Sequence, residues 1–318
     1  MEPFFCAVIS NLSTAVAVRR QLCQDQPVGQ AVSIDLLTEF TVVLPQKYRS
    51  RVEGISACGG NSFVLLLQDF TTANARPRGE RWNNLEPIWR LFRYDKPDPI
   101  AVEVCTFTQS VNDILHPVFV AEDNGRLYML FHDQILEVNL EDRSVNTICR
   151  LRLPGKDPTV KGFAVQNEVA CLTVEDSDVE QLGIHWVPFE NKPTLGAHFP
   201  GSRGSQLSFH DDCLYALDML DLYCFRNGEL VTQVDLSGRF PGWHQSPREL
   251  LAVGGSGELY VACGDNLVIL SPQQLEVRAS YKLPAVVETM AYVSSTNHLL
   301  LRSRDGTHSR LVIREVRC

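Results

Sequence analysis

Two short runs place a histidine beside carboxylates, at His132-Asp133 and at His210-Asp211-Asp212. Such a histidine can act as a general base or as a metal ligand, because its pKa lies near neutrality and its neutral ring nitrogen binds zinc. The eight histidines of the chain do not cluster at the spacing of a metal site, however. Asp residues also favour tight turns, and we interpret both runs as turns.

Motifs of nucleophilic and phosphate chemistry are absent from the sequence. It contains no G-x-S-x-G motif, no P-loop and no G-x-G-x-x-G after an apolar run. The run Gly201–Ser205 could hold an anion, but it fits a connecting loop better. The sequence therefore predicts a protein that is not an enzyme and that uses neither a cofactor nor a metal ion.

Two polar segments combine arginine with tryptophan, the residue types most enriched at the energetic centres of protein interfaces. They are Phe70–Leu85 and Asp235–Glu249, and a further arginine lies in Gly201–Ser205. We predict that these segments bind partner proteins through Arg76, Arg78, Arg81, Trp82, Arg203, Arg239, Trp243 and His244. The alternative is an arginine-rich disordered loop and a tryptophan that packs on its own sheet.

A sequence pattern that recurs along the chain predicts the elements that would position these residues. At Leu250–Leu270 an apolar run ends in a glycine-rich turn, a second run carries Leu259-Tyr260, and an Asp precedes a third run. The same order occurs at Val118–Val138. Equivalent pairs in the second run recur about every 43 residues after a longer first interval. These pairs are Val64-Leu65, Leu127-Tyr128, Val169-Ala170, Leu214-Tyr215, Leu259-Tyr260 and Leu299-Leu300.

Four short strands per repeat, joined by turns rich in Gly, Asn and Asp, are typical of a β-propeller. A four-stranded sheet cannot bury both of its faces alone, so each blade must pack on its neighbours and the ring must close. We predict an all-β fold, a single propeller of six blades with four antiparallel strands each. The sixth copy ends on its third strand, and the run Ala31–Leu44 is the expected donor of the fourth. Seven blades are the alternative, with two more strands from Phe4–Val18.

One stretch carries a family resemblance. Gly257–Leu270, which reads GELYVACGDNLVIL, resembles the strand pair of NHL-type propellers. The WD dipeptide and the Gly-His pair of WD40 blades are absent. The doublets Gly59-Gly60 and Gly254-Gly255 precede the second strand, whereas kelch blades carry their doublet after it. The resemblance implies an atypical propeller, loosely similar to NHL, kelch and WD40 proteins, of no specific family.

An aspartate follows the second strand in five of the six copies, at Asp69, Asp133, Asp176, Asp265 and Asp305. Second strands are expected to lie toward the inside of a propeller, so these carboxylates would lie near the mouth of the central channel at one face. Such a ring could hold Ca²⁺ or attract a basic partner. The alternative, which their recurrence in almost every blade favours, is that each aspartate stabilises a turn into the next strand.

Composition describes a globular protein of 318 residues with a hydrophobic share of 44%. We predict that residues 31–318 form the propeller and that residues 1–30 form an N-terminal segment packed on it. A net charge of −9 without a local basic run argues against direct binding of nucleic acid. No apolar run approaches the roughly 20 residues of a membrane span, and we expect no membrane insertion.

The cysteines and the N-terminal residues indicate the cellular compartment. Ten are scattered along the chain without a C-x-x-C pair, mostly inside apolar runs. The N-terminus lacks the basic region of a signal peptide, because Glu2 stands there. These features predict buried, reduced thiols and a cytoplasmic or nuclear protein. A secreted domain with disulfides is the alternative.

The expected topology decides which connections share a face. In a propeller, the connections from second to third strand and from fourth to next first strand open on the same side. Both tryptophan-containing segments should therefore lie on one face. We interpret the protein as a non-enzymatic interaction scaffold or a subunit of a multiprotein complex. The alternatives are a substrate-recognition subunit of a ubiquitin-ligase-type assembly and a metal-dependent propeller hydrolase.

Overall fold

The computed structural model describes most of the chain from Val32 to Arg317. The described residues are 32–33, 35–43, 49–58, 62–70, 87–95, 101–108, 118–153, 158–176, 181–190, 194–199, 206–241, 249–283, 285–293, 296–307 and 310–317. They form twenty-five β-strands, one short 3₁₀ turn at Ser237–Arg239 and no α-helix. The predicted N-terminal segment 1–30 lies outside the described residues.

The strands form six sheets, which we call blades 1 to 6 in chain order. Two strands precede blade 1: β1 (Val32–Ser33) and β2 (Asp35–Val43). Blade 1 contains β3 (Arg49–Ala57), β4 (Ser62–Phe70), β5 (Pro87–Asp95) and β6 (Val102–Thr108). Blade 2 contains β7 (Phe119–Asp123), β8 (Arg126–Phe131), β9 (Gln134–Val138) and β10 (Val145–Arg150). Blade 3 contains β11 (Thr159–Gln166), β12 (Val169–Asp176), β13 (Gln181–Pro188) and β14 (Thr194–Phe199).

The second half of the chain continues the pattern. Blade 4 contains β15 (Gln206–His210), β16 (Cys213–Asp218), β17 (Asp221–Arg226) and β18 (Glu229–Asp235). Blade 5 contains β19 (Glu249–Val253), β20 (Leu259–Cys263), β21 (Asn266–Leu270) and β22 (Val277–Lys282). Blade 6 contains β23 (Val287–Val293), β24 (His298–Thr307) and β25 (Arg310–Arg317), and it is completed by β2.

The blades are arranged in a closed ring. The first strands β3, β7, β11, β15, β19 and β23 contact one another in succession, and β23 contacts β3. First strands therefore surround the central axis, and each blade extends outward from it. The predicted all-β propeller with six blades of four antiparallel strands is confirmed.

A separate hydrophobic cluster fills each of the six boundaries between neighbouring blades. Strand β4 shows how alternation produces this packing. Phe63 and Leu65 point into the cluster shared with blade 6, whereas Val64 and Leu66 point into the cluster shared with blade 2. Successive side chains of a strand face opposite sides of the sheet. The continuous apolar run of a second strand thus buries both faces of its blade.

The N-terminal strands cross the outer edges of two blades. Strand β1 pairs in parallel with the end of β22 in blade 5, and β2 pairs antiparallel with β25 in blade 6. Within the second pair, Arg314 is almost buried and donates from Nε to Glu39 Oε2 at 2.7 Å. A buried guanidinium needs such a partner, because an unpaired buried charge is strongly destabilising. Residues 32–43 therefore connect the beginning of the chain to its end.

The strand directions divide the connections between two faces. The short-turn face carries the connections from first to second and from third to fourth strand, such as 124–125, 167–168 and 227–228. The long-connection face carries the others, which include 71–86, 109–118, 151–158 and 236–248. Each of these four is longer than any connection of the short-turn face. Asn124 and Asn227, with φ of 52° and 52°, adopt the left-handed turn conformation that Asn tolerates.

Truncation tests the role of residues 32–43. Deleting residues 1–44 removes both N-terminal strands, exposes the edge of β25 and takes Glu39 away from Arg314. We expect this variant to aggregate, because an unpaired edge strand is a template for association. Solubility, size-exclusion chromatography and thermal melting provide the measurement. Deletion of residues 1–31, which keeps both strands, is the matched control and should remain monomeric. A monomeric 1–44 deletion with an unchanged melting temperature would contradict this role.

Candidate functional site

Seven of the eight predicted partner-binding residues lie outside the described residues: Arg76, Arg78, Arg81, Trp82, Arg203, Trp243 and His244. Arg239 is described, half-buried in the 3₁₀ turn that follows blade 4. Next to it, Phe240 is 1% exposed and belongs to the cluster between blades 4 and 5. The first residues of the connection 236–248 are therefore fixed to the propeller body. The strands flanking 71–86 and 236–248 end on the same long-connection face, as the topology requires.

The two histidine–carboxylate runs occupy opposite faces, which agrees with their interpretation as turns. His132 has a φ of 56° in the two-residue connection between β8 and β9. His210 Nε2 lies 3.4 Å from Asp211 Oδ2, on the short-turn face. The same nitrogen lies 2.6 Å from where a Cβ on Gly257 would stand, and Gly257 has a φ of 90°. Within the described parts of the chain, no three His, Cys, Asp or Glu side chains group to hold a metal ion.

The hypothesis that these aspartates lie near the mouth of the channel is wrong, because first strands, and not second strands, line the axis. Asp265 instead forms an ion pair with Lys282 of β22, the fourth strand of blade 5, at 2.6 Å from Oδ2 to Nζ. Its Oδ1 also accepts a hydrogen bond from Asn266 Nδ2 at 3.0 Å. Asp133 is exposed in its turn. Blade 4 also has this aspartate, the buried Asp218, which the repeat alignment missed. The side chains of Asp69, Asp176 and Asp305 lie outside the described part.

Contacts between blades use much of the short-turn face. The backbone N–H of Asn167 in blade 3 donates to Asp123 Oδ2 in blade 2 at 2.8 Å. Tyr215 Oη in blade 4 donates to the carbonyl oxygen of Pro272 in blade 5 at 2.9 Å. The first bond joins two turns and the second joins strand β16 to a turn, and both connect neighbouring blades on this side.

The short-turn face also contains a cleft between blades 1 and 2. It has a volume of about 440 Å³. We call it the blade 1–2 cleft, and its principal lining residues are Cys58, Arg93, Arg126, Glu137, Leu140 and Glu141. Sequence reasoning missed it, because these residues come from five different strands and turns that only the ring brings together.

Arg93 spans the blade 1–2 cleft from blade 1. Its Nε donates to Asp95 Oδ1 at 3.0 Å, and its Nη1 donates to Glu141 Oε1 at 3.2 Å and to the carbonyl oxygen of Leu140 at 3.5 Å. A hydrogen bond from Ser62 lowers the pKa of Asp95, and Arg93 lowers it further. The guanidinium therefore links the two blades through their third strands and turns.

Arg126 stands on the blade 2 side of the same cleft. Its Nε lies 3.8 Å from Glu137 Oε1, and its Nη1 lies 3.4 Å from Glu168 Oε1 in blade 3. Both distances are long for ion pairs, and the side chains of Arg126 and Glu168 are more than half exposed. Exposed pairs of this kind contribute little to stability.

A second, smaller cavity lies at the mouth of the central channel. It has a volume of about 220 Å³ and is lined by the first strands of blades 2, 3 and 4, at residues 120–123, 163–166 and 207–209. No catalytic arrangement of side chains occurs among these residues.

The seven described cysteines carry free thiols. Burial raises the pKa of Cys58 to about 12, with a further increase from the Glu122 carboxylate. Burial also raises the pKa of Cys105 to about 12, aided by Glu103, and that of Cys224 to about 12, aided by Cys213. These thiols are protonated and poorly nucleophilic at neutral pH, since the thiolate is the reactive form.

These pKa values predict a loss of stability at alkaline pH. In the unfolded chain the thiols ionise near pH 9, whereas in the folded protein Cys58, Cys105 and Cys224 ionise near pH 12. Between these values the folded state holds more protons, so the free energy of unfolding falls as the pH rises. Denaturant titrations at pH 8 and pH 10 measure the fall. It should be smaller in Cys58→Ala than in the wild type, and an equal fall would contradict the assignment for that thiol.

Comparison with known proteins supports the fold. No protein-family model matches the chain, and no curated protein matches its sequence. Among solved structures, a chain in a crystal structure of a mitotic checkpoint complex is similar, with a TM-score of 0.54 and 12% identity. The match covers 91% of this chain and 97% of that chain. Among the described residues, no helix has the length and apolar character to cross a membrane. At this identity the similarity shows the propeller fold alone.

Proposed function

We propose that the protein is a non-enzymatic scaffold that binds other proteins, as a subunit of a multiprotein complex, through its long-connection face. The observation that carries the proposal is topological. The connections 71–86, 109–118, 151–158 and 236–248 all leave and re-enter the ring on that face. Loops held by a rigid framework are the usual place for binding residues.

The chemistry of these connections favours protein partners. Residues 71–86 include three arginines and Trp82, and residues 236–248 include Arg239 and Trp243. Tryptophan and arginine dominate interface energetics, because they combine a large contact area with directional polar groups. Such side chains contribute little to folding when they lie in a loop, so their concentration on one face is best explained by binding.

Two further observations support the proposal. The similar solved chain comes from a structure described as a complex, which supports the same kind of role by analogy. The described cysteines have free thiols, a state typical of the cytoplasm and the nucleus. A cytoplasmic or nuclear location is part of the same proposal.

The test is the double variant Trp82→Ala/Trp243→Ala in a tagged chain. Its melting temperature should be almost unchanged, whereas recovery of the principal co-purifying protein should fall about tenfold or more. The reason is that one hot-spot residue contributes about 2 kcal/mol or more to binding. Quantitative mass spectrometry of the purified complexes gives the ratio.

The structure supplies a matched control in Leu195→Ala/Val231→Ala. These two side chains are 54% and 56% exposed, and they lie near the start of the outer strands of blades 3 and 4, at the ends away from the long-connection face. This control removes exposed apolar surface without touching the proposed site, and partner recovery should stay at the wild-type level. Intact recovery by the tryptophan variant, or equal loss in the control, would mean that the proposed face is not the binding site.

A further inference from the structure

We propose that the ring opens locally at the boundary between blades 6 and 1, before any other boundary. We call this boundary the seam, and its apolar cluster includes Val52, Phe63, Tyr94, Leu300 and Ile313. Opening separates blade 6 from blade 1, whose strands β4 and β5 flank the connection 71–86. The inference does not depend on the proposed function, because it concerns packing between blades and not the binding of a partner.

Buried charges occur at the seam. Within the described part of the chain, two ion pairs have both side chains less than one-fifth exposed. His298 Nδ1 lies 3.0 Å from Glu315 Oε1, with exposures of 16% and 10%, and Arg302 contacts Glu288, with exposures of 15% and 19%. The loss of hydration on burial can exceed the attraction between two such charges. These pairs therefore stabilise the closed seam less than apolar side chains would.

Strand register shows that these ion pairs face blade 1. Residues directly opposite each other on paired strands lie on the same face of a sheet. Leu300 is opposite Glu315, and Ile313 is opposite Arg302. Both apolar residues belong to the cluster of the seam. The two ion pairs are therefore on the face of blade 6 that blade 1 covers.

Two buried hydroxyl groups also face the seam. Tyr94 Oη and Thr289 Oγ1 make no hydrogen bond within the described residues, and the two residues are 0% and 4% exposed. Tyr94 belongs to the cluster of the seam, and Thr289 is opposite Arg302. A buried hydroxyl without a partner loses its hydration, and it regains that hydration when the boundary opens.

The boundary between blades 4 and 5 provides a contrast. Its buried tyrosine, Tyr215, has a partner, because Oη donates to the carbonyl oxygen of Pro272 across the boundary at 2.9 Å. Opening that boundary breaks a hydrogen bond as well as apolar contacts. Opening the seam instead rehydrates two hydroxyl groups and two ion pairs. The boundary with the lowest free energy of opening is therefore the seam.

The test places a cysteine at the seam of the full chain and measures its alkylation. Val52→Cys is the reporter, because Val52 is 3% exposed and belongs to the cluster of the seam. Val160→Cys is the matched control. Both valines come just before a bulge in a first strand, but Val160 belongs to the cluster between blades 2 and 3. Cysteine behaves as a small apolar residue, so both variants should fold, and thermal melting verifies this.

We expect N-ethylmaleimide to label position 52 about tenfold faster or more than position 160, because a buried thiol reacts only through opening. Mass spectrometry of peptides after timed quenching gives both rates. Val160 is 6% exposed, so any labelling of the closed ring works against the expected difference. The native Cys171, which is 0% exposed between blades 3 and 4, is the internal reference in every sample.

A second set of variants tests the cause. In the Val52→Cys background, Tyr94→Phe/Thr289→Val removes both hydroxyl groups and should slow labelling of position 52 roughly fivefold or more. Tyr215→Phe, which removes a hydroxyl group that has a partner, should leave this rate within about twofold. The proposal is overturned by equal labelling of positions 52 and 160, by an unchanged rate in Tyr94→Phe/Thr289→Val, or by equal slowing in Tyr215→Phe.

Discussion

Packing between neighbouring blades is the interaction on which the rest of the structure depends. Each second strand is apolar along its length, and alternate side chains enter two different clusters, as Val64 and Phe63 do in blade 1. A blade alone would expose both of these apolar faces to water. Burial of apolar surface contributes about 25 cal/mol per Å², so each blade is stable only between two others. The ring must therefore close, and β2 on β25 connects the two ends of the chain.

Closure also determines where function can reside. The faces of the sheets are buried by packing between blades. Part of the short-turn face is used by hydrogen bonds between blades, such as the bond from Asn167 N–H to Asp123 Oδ2. The blade 1–2 cleft lies on this short-turn face, and there Arg93 faces Glu141 while Arg126 faces Glu137. The long-connection face has connections that are longer than is needed to join one strand of the ring to the next.

Much of the fold could be predicted from the sequence, because local signals determine it. The apolar second strands repeat in every blade and are separated from their neighbours by turns rich in Gly, Asn and Asp, so strand order and blade number follow. The ion pairs between strands and between blades could not be predicted in the same way. Asp265 reaches Lys282, and Arg93 reaches Glu141 of the next blade, through distances that depend on the twist of each sheet. The two-residue parallel strand β1 has no sequence signal, since Val32-Ser33 is too short for a period.

The central claim is that the long connections, and not the sheets or the rim, bind the partner. Hydrogen–deuterium exchange of the chain, free and in its purified complex, tests this claim most directly. We expect the complex to slow exchange in peptides that cover residues 71–86 and 236–248. Peptides of the outer strands β10, β14 and β18 should exchange at the same rate in both states. Protection confined to those outer strands, with unchanged exchange in both long connections, would contradict the claim.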